Sequence, residues 1–454
     1  MKAKIHFWGG TGTVTGSKFL LETAKHQILI DCGLFQGKKS LRLLNRIPLP
    51  LDYSKLSAVL ITHAHLDHTG YLPALVKNGY KGPVFMTAPT QALTEIILRD
   101  SAKIQMEEAD AANRGNYSKH QPALPLYTLD DVEQTLNYIL DCEENEWISL
   151  AKDIKFRFKR NGHILGSSYL EIDISDKKMI FSGDVGRPES LYLPSPSIPE
   201  QADILLLEST YGNRIHPETS PKDQLEDLIN KTIQRGGDVL IPCFAVGRAL
   251  EIMLLIDALK KENKIPPIPV VFDSPMGTEA IEVTSRFPDW HKLNKTALID
   301  LNKEVYFVRA IEETFSIIDR KKTKIVIAGS GMITGGRILH YLKAEIEDVN
   351  NLVILPGYQA EGTRGRALLD GEAEIKIMGK FYQVKAEIAR LENISGHADQ
   401  EELLNWIAGF RFKPKEIILI HGEKDASQAL AEKIKAKFGI SVSLPDLNDV
   451  IEIN

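Results

Sequence analysis

The sequence predicts a mixed α/β fold, and three observations lead there. Over the first 70 residues, short apolar segments are bounded by Gly-rich turns, as strands are. Helical spacing then alternates with further strand-like segments. From about Thr210 the texture changes to clear strand-then-helix units, the pattern of a second α/β domain.

In chain order, strands are expected at Lys4 to Trp8, Phe19 to Glu22, Gln27 to Ile30 and Ala58 to Thr62. A helix runs through Tyr71 to Val76, and helical spacing covers Ala92 to Asn113 and Leu129 to Leu140. Strands resume at Ile154 to Phe158, Ser168 to Ile174, Met179 to Ser182 and Ile204 to Glu208. Further on, the strand Val239 to Pro242 feeds a helix from Val246 to Leu259, and strands follow at Val270 to Phe272, Lys324 to Ala328, Leu352 to Leu355 and Ile417 to Ile420. Ile265 to Pro269 is a Pro-rich connector. No repeat, heptad or low-complexity tract interrupts this layout.

The totals bound the class. A chain of 454 residues with 43% hydrophobic content has room for two or three folded domains. Three widely spaced cysteines, Cys32, Cys142 and Cys243, form neither a disulfide framework nor a C-x-x-C zinc site. No apolar run approaches the roughly 18 residues that span a bilayer, and Met1 to Trp8 is too short and polar for a signal peptide, so a cytoplasmic protein without membrane contact is expected. The net charge of -6 argues mildly against nucleic acid. Local sources of positive charge would have to answer it: bound metal ions, or the basic runs Lys155, Arg157, Lys159, Arg160 and Arg320 to Lys324, each of which is otherwise a solvated face.

The strongest chemical signal is Thr62-His63-Ala64-His65-Leu66-Asp67-His68, at the end of an apolar strand and the start of a helix. Imidazole nitrogen and carboxylate oxygen are what Zn²⁺ takes when it keeps a coordination position open. A strand-end turn lets His63 and His65 serve one metal while Asp67 and His68 serve another. A structural account of four such polar residues in one string has to satisfy every one of them. His163, Asp184 and His421 stand downstream where a strand meets a loop, each with glycine beside it. Singly each is as readily structural as functional. Together they complete two sets, His63, His65 and His163 on one metal and Asp67, His68 and His421 on the other, with Asp184 bridging. Asp31, ending the strand Gln27 to Ile30, is better placed to hold the second ring nitrogen of a ligating histidine than to bind metal; otherwise it is a plain turn residue.

The H-x-H-x-D-H string with a later His, Asp and His resembles the metallo-β-lactamase superfamily. Leu207-Glu208-Ser209-Thr210-Tyr211 resembles motif A of its β-CASP branch of nucleic-acid nucleases, Ser395-Gly396-His397-Ala398-Asp399 motif B, and His421-Gly422-Glu423 motif C. Leu240 to Ala249 and Gly329-Ser330-Gly331-Met332 before Gly335-Gly336-Arg337 are also characteristic. Histidine at motif C, where DNA-repair members carry valine, favours RNA. The pattern is most similar to stand-alone prokaryotic members related to the nuclease subunit of the cleavage and polyadenylation specificity factor.

The resemblance implies an αββα metallo-β-lactamase sandwich, residues 1-210 and 391-454, interrupted by an inserted α/β β-CASP domain at 211-390. It implies a ribonuclease with two Zn²⁺ per chain, Mn²⁺ being an alternative, acting on single-stranded RNA. Cleavage is expected to be endonucleolytic, with 5′ exonucleolytic action left open, and a homodimer is admitted. In the expected mechanism a metal-bridging hydroxide attacks phosphorus, with His397 as general acid oriented by Glu208, and Asp67 counted among the catalytic residues. Ser330, Arg248 and Arg337 are candidates for substrate phosphate. Without the resemblance, His397 reads as a helix N-terminal polar residue and Glu208 as a strand-end acid. Rival readings are a DNA nuclease of the same branch, a small-molecule (thio)ester hydrolase, and a non-catalytic RNA-binding subunit.

Overall fold

The computed structural model describes residues 3–115, 120–174, 177–320, 322–357 and 359–453. Lys321, inside the second basic run, and Met1 and Lys2 lie outside them. The chain forms two compact units, Met1–Ile215 with His397–Asn454, and His216–Gly396.

The first unit holds two seven-stranded sheets. In spatial order one is Val450–Ile453, Ala3–Gly9, Lys18–Glu22, Gln27–Ile30, Leu56–Leu60, Val84–Thr87 and Ile139–Cys142. Its hairpins are antiparallel up to Gln27–Ile30, and the remaining pairs are parallel. The other is Ser441–Ser443, Glu416–Ile420, Ile204–Glu208, Lys177–Phe181, Ser168–Ile174, Ile154–Arg160 and Ile148–Ala151. Here the first three pairs are parallel and the rest antiparallel.

Alternation along each strand explains the layering. Ile5, Phe7, Phe19, Ile28, Leu60 from one sheet and Phe156, Leu170, Ile172, Phe181, Leu206, Ile418 from the other share a single buried core, so the sheets pack face to face. The opposite residues, such as Leu29, Val59 and Ile61, pack under helices carrying Leu72, Leu75, Leu98 and Val132. On the far side Leu205, Leu207, Ile417 and Leu419 meet Leu403, Leu404 and Ile407 of the helix Gln400–Gly409 and Leu430 and Ile434 of the helix Lys424–Phe438. The result is four layers, αββα.

The second unit is built on a six-stranded, all-parallel sheet in the order Val305–Phe307, Val270–Asp273, Ile325–Ala328, Val239–Pro242, Leu352–Pro356 and Glu387–Leu391. Its central strands are buried on both faces, which is why they read as unbroken apolar runs.

Sequence patterning misassigned one segment. Helical spacing was expected through Leu140, yet the helix stops at Leu136 and Ile139–Cys142 joins the first sheet beside Val84–Thr87. The pair Ile139-Leu140 suits either period, and only pairing with a neighbouring strand decides. The edge strands Val450–Ile453, Ser441–Ser443 and Val305–Phe307 were not anticipated, being short and half exposed. The first basic run is neutralised locally: Lys155 pairs with Asp173, Arg157 with Glu171 and Arg160 with Glu144. In the second, Lys324 is buried between Asp238 and Glu345. The three cysteines are free and buried. Among the described residues no helix is long and apolar enough to cross a membrane.

Candidate metal centre

Every candidate ligand sits just beyond the carboxyl end of a strand in the first unit. His63, His65, Asp67 and His68 follow Leu56–Leu60, with Asp67 and His68 in the first turn of the short helix Leu66–Thr69. His163 follows Ile154–Arg160, Asp184 follows Lys177–Phe181, and His421 follows Glu416–Ile420. The backbone is forced at several of these points. His421 and Asp31 adopt φ of 48° and 57°, left-handed values that cost a non-glycine residue about 1 kcal/mol or more. At Gly183, φ is +52° and an added Cβ would stand 2.8 Å from the Thr62 side chain, so the approach to Asp184 demands glycine.

These loops bring two sets of atoms together. In the first, His65 Nδ1 lies 3.1 Å from His63 Nε2 and 3.2 Å from His163 Nε2. Asp184 Oδ2 is 3.4 Å from His63 Nε2 and 3.5 Å from His163 Nε2. In the second, His421 Nε2 is 3.3 Å from His68 Nε2 and 3.2 Å from Asp67 Oδ2. The other Asp184 oxygen, Oδ1, is 3.4 Å from His68 Nε2. One carboxylate therefore faces both sets.

The donor chemistry fits a pair of cations. In the first set His63, His65 and His163 face one another as neutral imidazoles that cannot all place a proton between them, so lone pairs converge there. Ligand bonds of about 2.0–2.1 Å in a tetrahedron put neighbouring donor atoms roughly 3.3–3.4 Å apart, close to the spacings found. Asp184 is 1% exposed, and its Oδ1 has no hydrogen-bond partner. A buried carboxylate oxygen in that condition is costly unless a cation meets it.

Titration behaviour points the same way in the first set, whereas in the second the Asp184 and Asp31 charges outweigh burial and raise His68 well above the usual histidine range. Burial pushes His63 down to about 3 and His65 down to about 4, and drives His163 well below the usual histidine range. All three are thus held neutral, the form that binds metal. For Asp184 burial resists ionisation, but the neighbouring His421, His68 and His63 outweigh it and hold the carboxyl well below its usual range. Asp67 is likewise lowered against the effect of burial, by the hydrogen bond to His421 and the charge of His68.

A second ring of contacts orients the candidate ligands. His68 Nδ1 donates to Asp31 Oδ2 at 2.7 Å, and the same carboxylate accepts the Thr62 N–H at 2.8 Å. Asp31 is thus found where it would hold a ligating histidine. Thr62 Oγ1 lies 3.1 Å from His63 Nδ1, and Thr210 Oγ1 3.1 Å from His421 Nδ1. Neither threonine was legible in the sequence, because nothing marks such residues until their partner rings are placed. Lys18 was missed too. It is 2% exposed, donates to Gly16 O at 3.0 Å and Gly33 O at 2.5 Å, and lies 4.4 Å from the Phe35 ring. Burial pushes its ammonium down to about 8. Gly33 in turn packs so closely that a Cβ would fall 1.6 Å from Asp67 O, so this buried cation braces the floor of the ligand loop.

His397 stands beside the two sets. Its ring centroid is 4.4 Å from that of His163, and its Nδ1 is 4.0 Å from Asp184 Oδ2 and 3.2 Å from Glu208 Oε1. Burial lowers its affinity for a proton, but the Glu208 charge and hydrogen bond prevail and raise its pKa above the usual value. Glu208, fully buried, also accepts the Val185 N–H at 2.6 Å.

Ser330, Arg248 and Arg337 belong to the other unit, and their described contacts are internal to it. The Ser330 hydroxyl accepts the Thr334 and Gly335 N–H groups at 3.1 and 3.2 Å. Arg337 Nη1 donates to Thr314 Oγ1 at 2.7 Å and lies 3.8 Å from Asp273 Oδ1. Arg248 opens the helix Arg248–Lys261 against Gly357.

An αββα sandwich whose strand ends gather five histidines and two aspartates, one of which faces both donor sets, defines a metal-dependent hydrolase. Comparison with known proteins gives the lineage. Residues 12–87 match the metallo-beta-lactamase superfamily, 249–368 the Beta-Casp domain, and 382–445 the Zn-dependent metallo-hydrolase RNA specificity domain. The chain is 34% identical over 453 residues to Ribonuclease TTHA0252 of Thermus thermophilus, covering 98% of this chain and 99% of that protein. It is 32% identical over 451 residues to Transcription termination factor FttA of Methanosarcina mazei, covering 95% of this chain and 69% of the relative. A crystal structure of a protein of unknown function from Enterococcus faecalis shares the fold, with a TM-score of 0.56 over the whole of both chains at 16% identity. The chain belongs to the metallo-β-lactamase superfamily, in its β-CASP branch.

Proposed function

We propose that this chain is a cytoplasmic, zinc-dependent ribonuclease that cleaves single-stranded RNA internally, leaving 3′-hydroxyl and 5′-phosphate ends. His63, His65, His163 and Asp184 would hold one Zn²⁺, and Asp67, His68, His421 and Asp184 a second. The observation that carries the reading is Asp184, with one oxygen toward each donor set and His397 4.0 Å away. The full-length likeness to a ribonuclease, and histidine rather than valine at position 421, support RNA as the substrate. The unit His216–Gly396 is taken as the inserted β-CASP domain.

When bound, such ions supply a water molecule acidified to near neutrality and positive charge against the phosphodiester oxygens. The chain's own residues do the rest. Asp31 and Thr62 fix the rings of His68 and His63, so the donor atoms need not reorganise during the reaction. Asp67 and Asp184 stay ionised and neutralise much of the local positive charge. Glu208 engages His397 through Nδ1, which leaves Nε2 to carry the proton that the departing 3′ oxygen takes as its bond to phosphorus breaks. The Glu208 charge and hydrogen bond favour the protonated form of the His397 ring. In the second unit Ser330, Arg248 and Arg337 follow the carboxyl ends of parallel strands, where ligands of such sheets bind, and are proposed as phosphate contacts.

The test is to incubate zinc-loaded protein with end-labelled single-stranded RNA and DNA and map the products. Internal RNA fragments with 5′-phosphate ends support the reading. Cleavage confined to DNA, or turnover of thioesters with RNA left whole, would replace it.

A further inference from the structure

The run from Asp184 to Arg187 does more than present a ligand. The Val185 N–H donates to Glu208 Oε1 at 2.6 Å, and its carbonyl accepts the Ala398 N–H at 2.8 Å. Gly186 packs so tightly on Gly162, next to His163, that a Cβ would meet its carbonyl at 2.1 Å. Arg187 then reaches Glu402, with Nε and a terminal nitrogen each 3.1 Å from Oε1. Both side chains are mostly buried, 17% and 19% exposed. The other Glu402 oxygen accepts the Asp399 N–H at 2.9 Å, closing a capping box at the start of the helix Gln400–Gly409.

Glu402 thus divides its carboxylate between two tasks. One oxygen caps the helix two residues after His397, and the other ties that helix to the Asp184 loop. Removing Arg187 cuts the tie and leaves Glu402 Oε2 on the cap. From this geometry we infer that Arg187 and Glu402 are positioning residues for the general acid: their ion pair holds the His397 segment in register with the loop carrying Asp184. The inference rests on the ribonuclease reading, in which the phosphorus–O3′ bond breaks with its electron pair on O3′. O3′ then takes the proton from His397, which is left neutral. A shift of about 1 Å between acid and leaving oxygen costs about 10²-fold.

The distinguishing measurement uses two substrates that differ in their need for an acid. RNA expels a strongly basic alkoxide, whereas bis(p-nitrophenyl) phosphate expels a weakly basic phenolate. Arg187→Met should slow RNA cleavage by about 10- to 100-fold, leave turnover of the nitrophenyl ester nearly unchanged, and preserve metal content and thermal midpoint. Arg187→Lys should recover part of the loss. In a His397→Ala background the Arg187→Met change should add nothing. Equal slowing on both substrates, or lost metal, would overturn the inference by placing Arg187 in the service of the metal centre; unchanged rates on both would reduce the pair to a structural contact. A wild-type protein that turned over the ester but not RNA would instead overturn the ribonuclease reading, and this inference with it.

Discussion

Both units bury carboxylates, and they neutralise them differently. In the parallel-sheet unit, Asp273 is fully buried and accepts hydroxyl protons from Thr314 at 2.6 Å and Tyr341 at 2.9 Å, with the Arg337 guanidinium nearby. Glu345 lies 3.2 Å from the Lys324 ammonium, which also binds Asp238. In the sandwich unit Asp184 meets imidazoles on every side, and burial holds two of them, His63 and His163, neutral. The difference teaches how to tell a structural acid from a ligand. Where the counter-charge is a lysine, an arginine or a hydroxyl proton, the chain supplies it. Where the neighbours include uncharged bases whose lone pairs converge, further positive charge has to come from outside.

The comparison can be broken at its strongest point first. Asp184→Ala should remove bound zinc and lower RNA cleavage by more than about 10³-fold, read by metal analysis and product mapping; full activity with full zinc would end the ligand assignment. His397→Ala should slow cleavage by roughly 10² to 10⁴ with zinc content intact, since it serves the proton and not the metal. Asp31→Asn keeps the shape but weakens the hold on His68, and should lower metal affinity by about 10- to 100-fold in a chelator competition. On the other side of the comparison, Asp273→Ala strands the Thr314 and Tyr341 hydroxyls and should destabilise its unit by about 1–3 kcal/mol in thermal unfolding while leaving zinc content untouched.

The smallest effect concerns pH. Burial, with the Asp238 charge adding to it and Lys324 opposing, raises Glu345 to about 7, because one ammonium is shared between two carboxylates. An acid raised above its unfolded value holds its proton in the native state over the interval between the two values. Stability from this group is therefore present below the unfolded value and declines as pH rises from about 4.5 toward 7. Glu345→Gln should flatten that part of a stability–pH curve; an identical slope in the variant would count against the assignment.

Legibility in the sequence followed the spacing of the chemistry. His63, His65, Asp67 and His68 could be read together because one strand-end loop concentrates them. The other sheet supplies one candidate ligand per strand, so His163, Asp184 and His421 are individually ambiguous and gain a reading only as completions of the first string. Asp31 was undecided between a turn and a histidine partner until the 2.7 Å contact to His68 appeared. Thr62 and Thr210 lie within the quoted motifs without a role of their own, and nothing in the sequence points to Lys18 or to the Arg187–Glu402 pair, whose members lie 215 positions apart.

What the sequence determined by itself was composition and period: a mixed α/β chain, its main strands, and an ordered set of residue types that resembles this family of metal hydrolases. Those features are local, set by which side chains recur at two or 3.6 residues and which turns glycine permits. The tertiary structure decided which Asp184 oxygen faces each donor set, which ring nitrogen each neighbour holds, and that Ile139–Cys142 is a strand. Those outcomes depend on burial and on contacts between segments far apart in the chain, and burial raises or lowers a group's charge only after the sheets have closed over it.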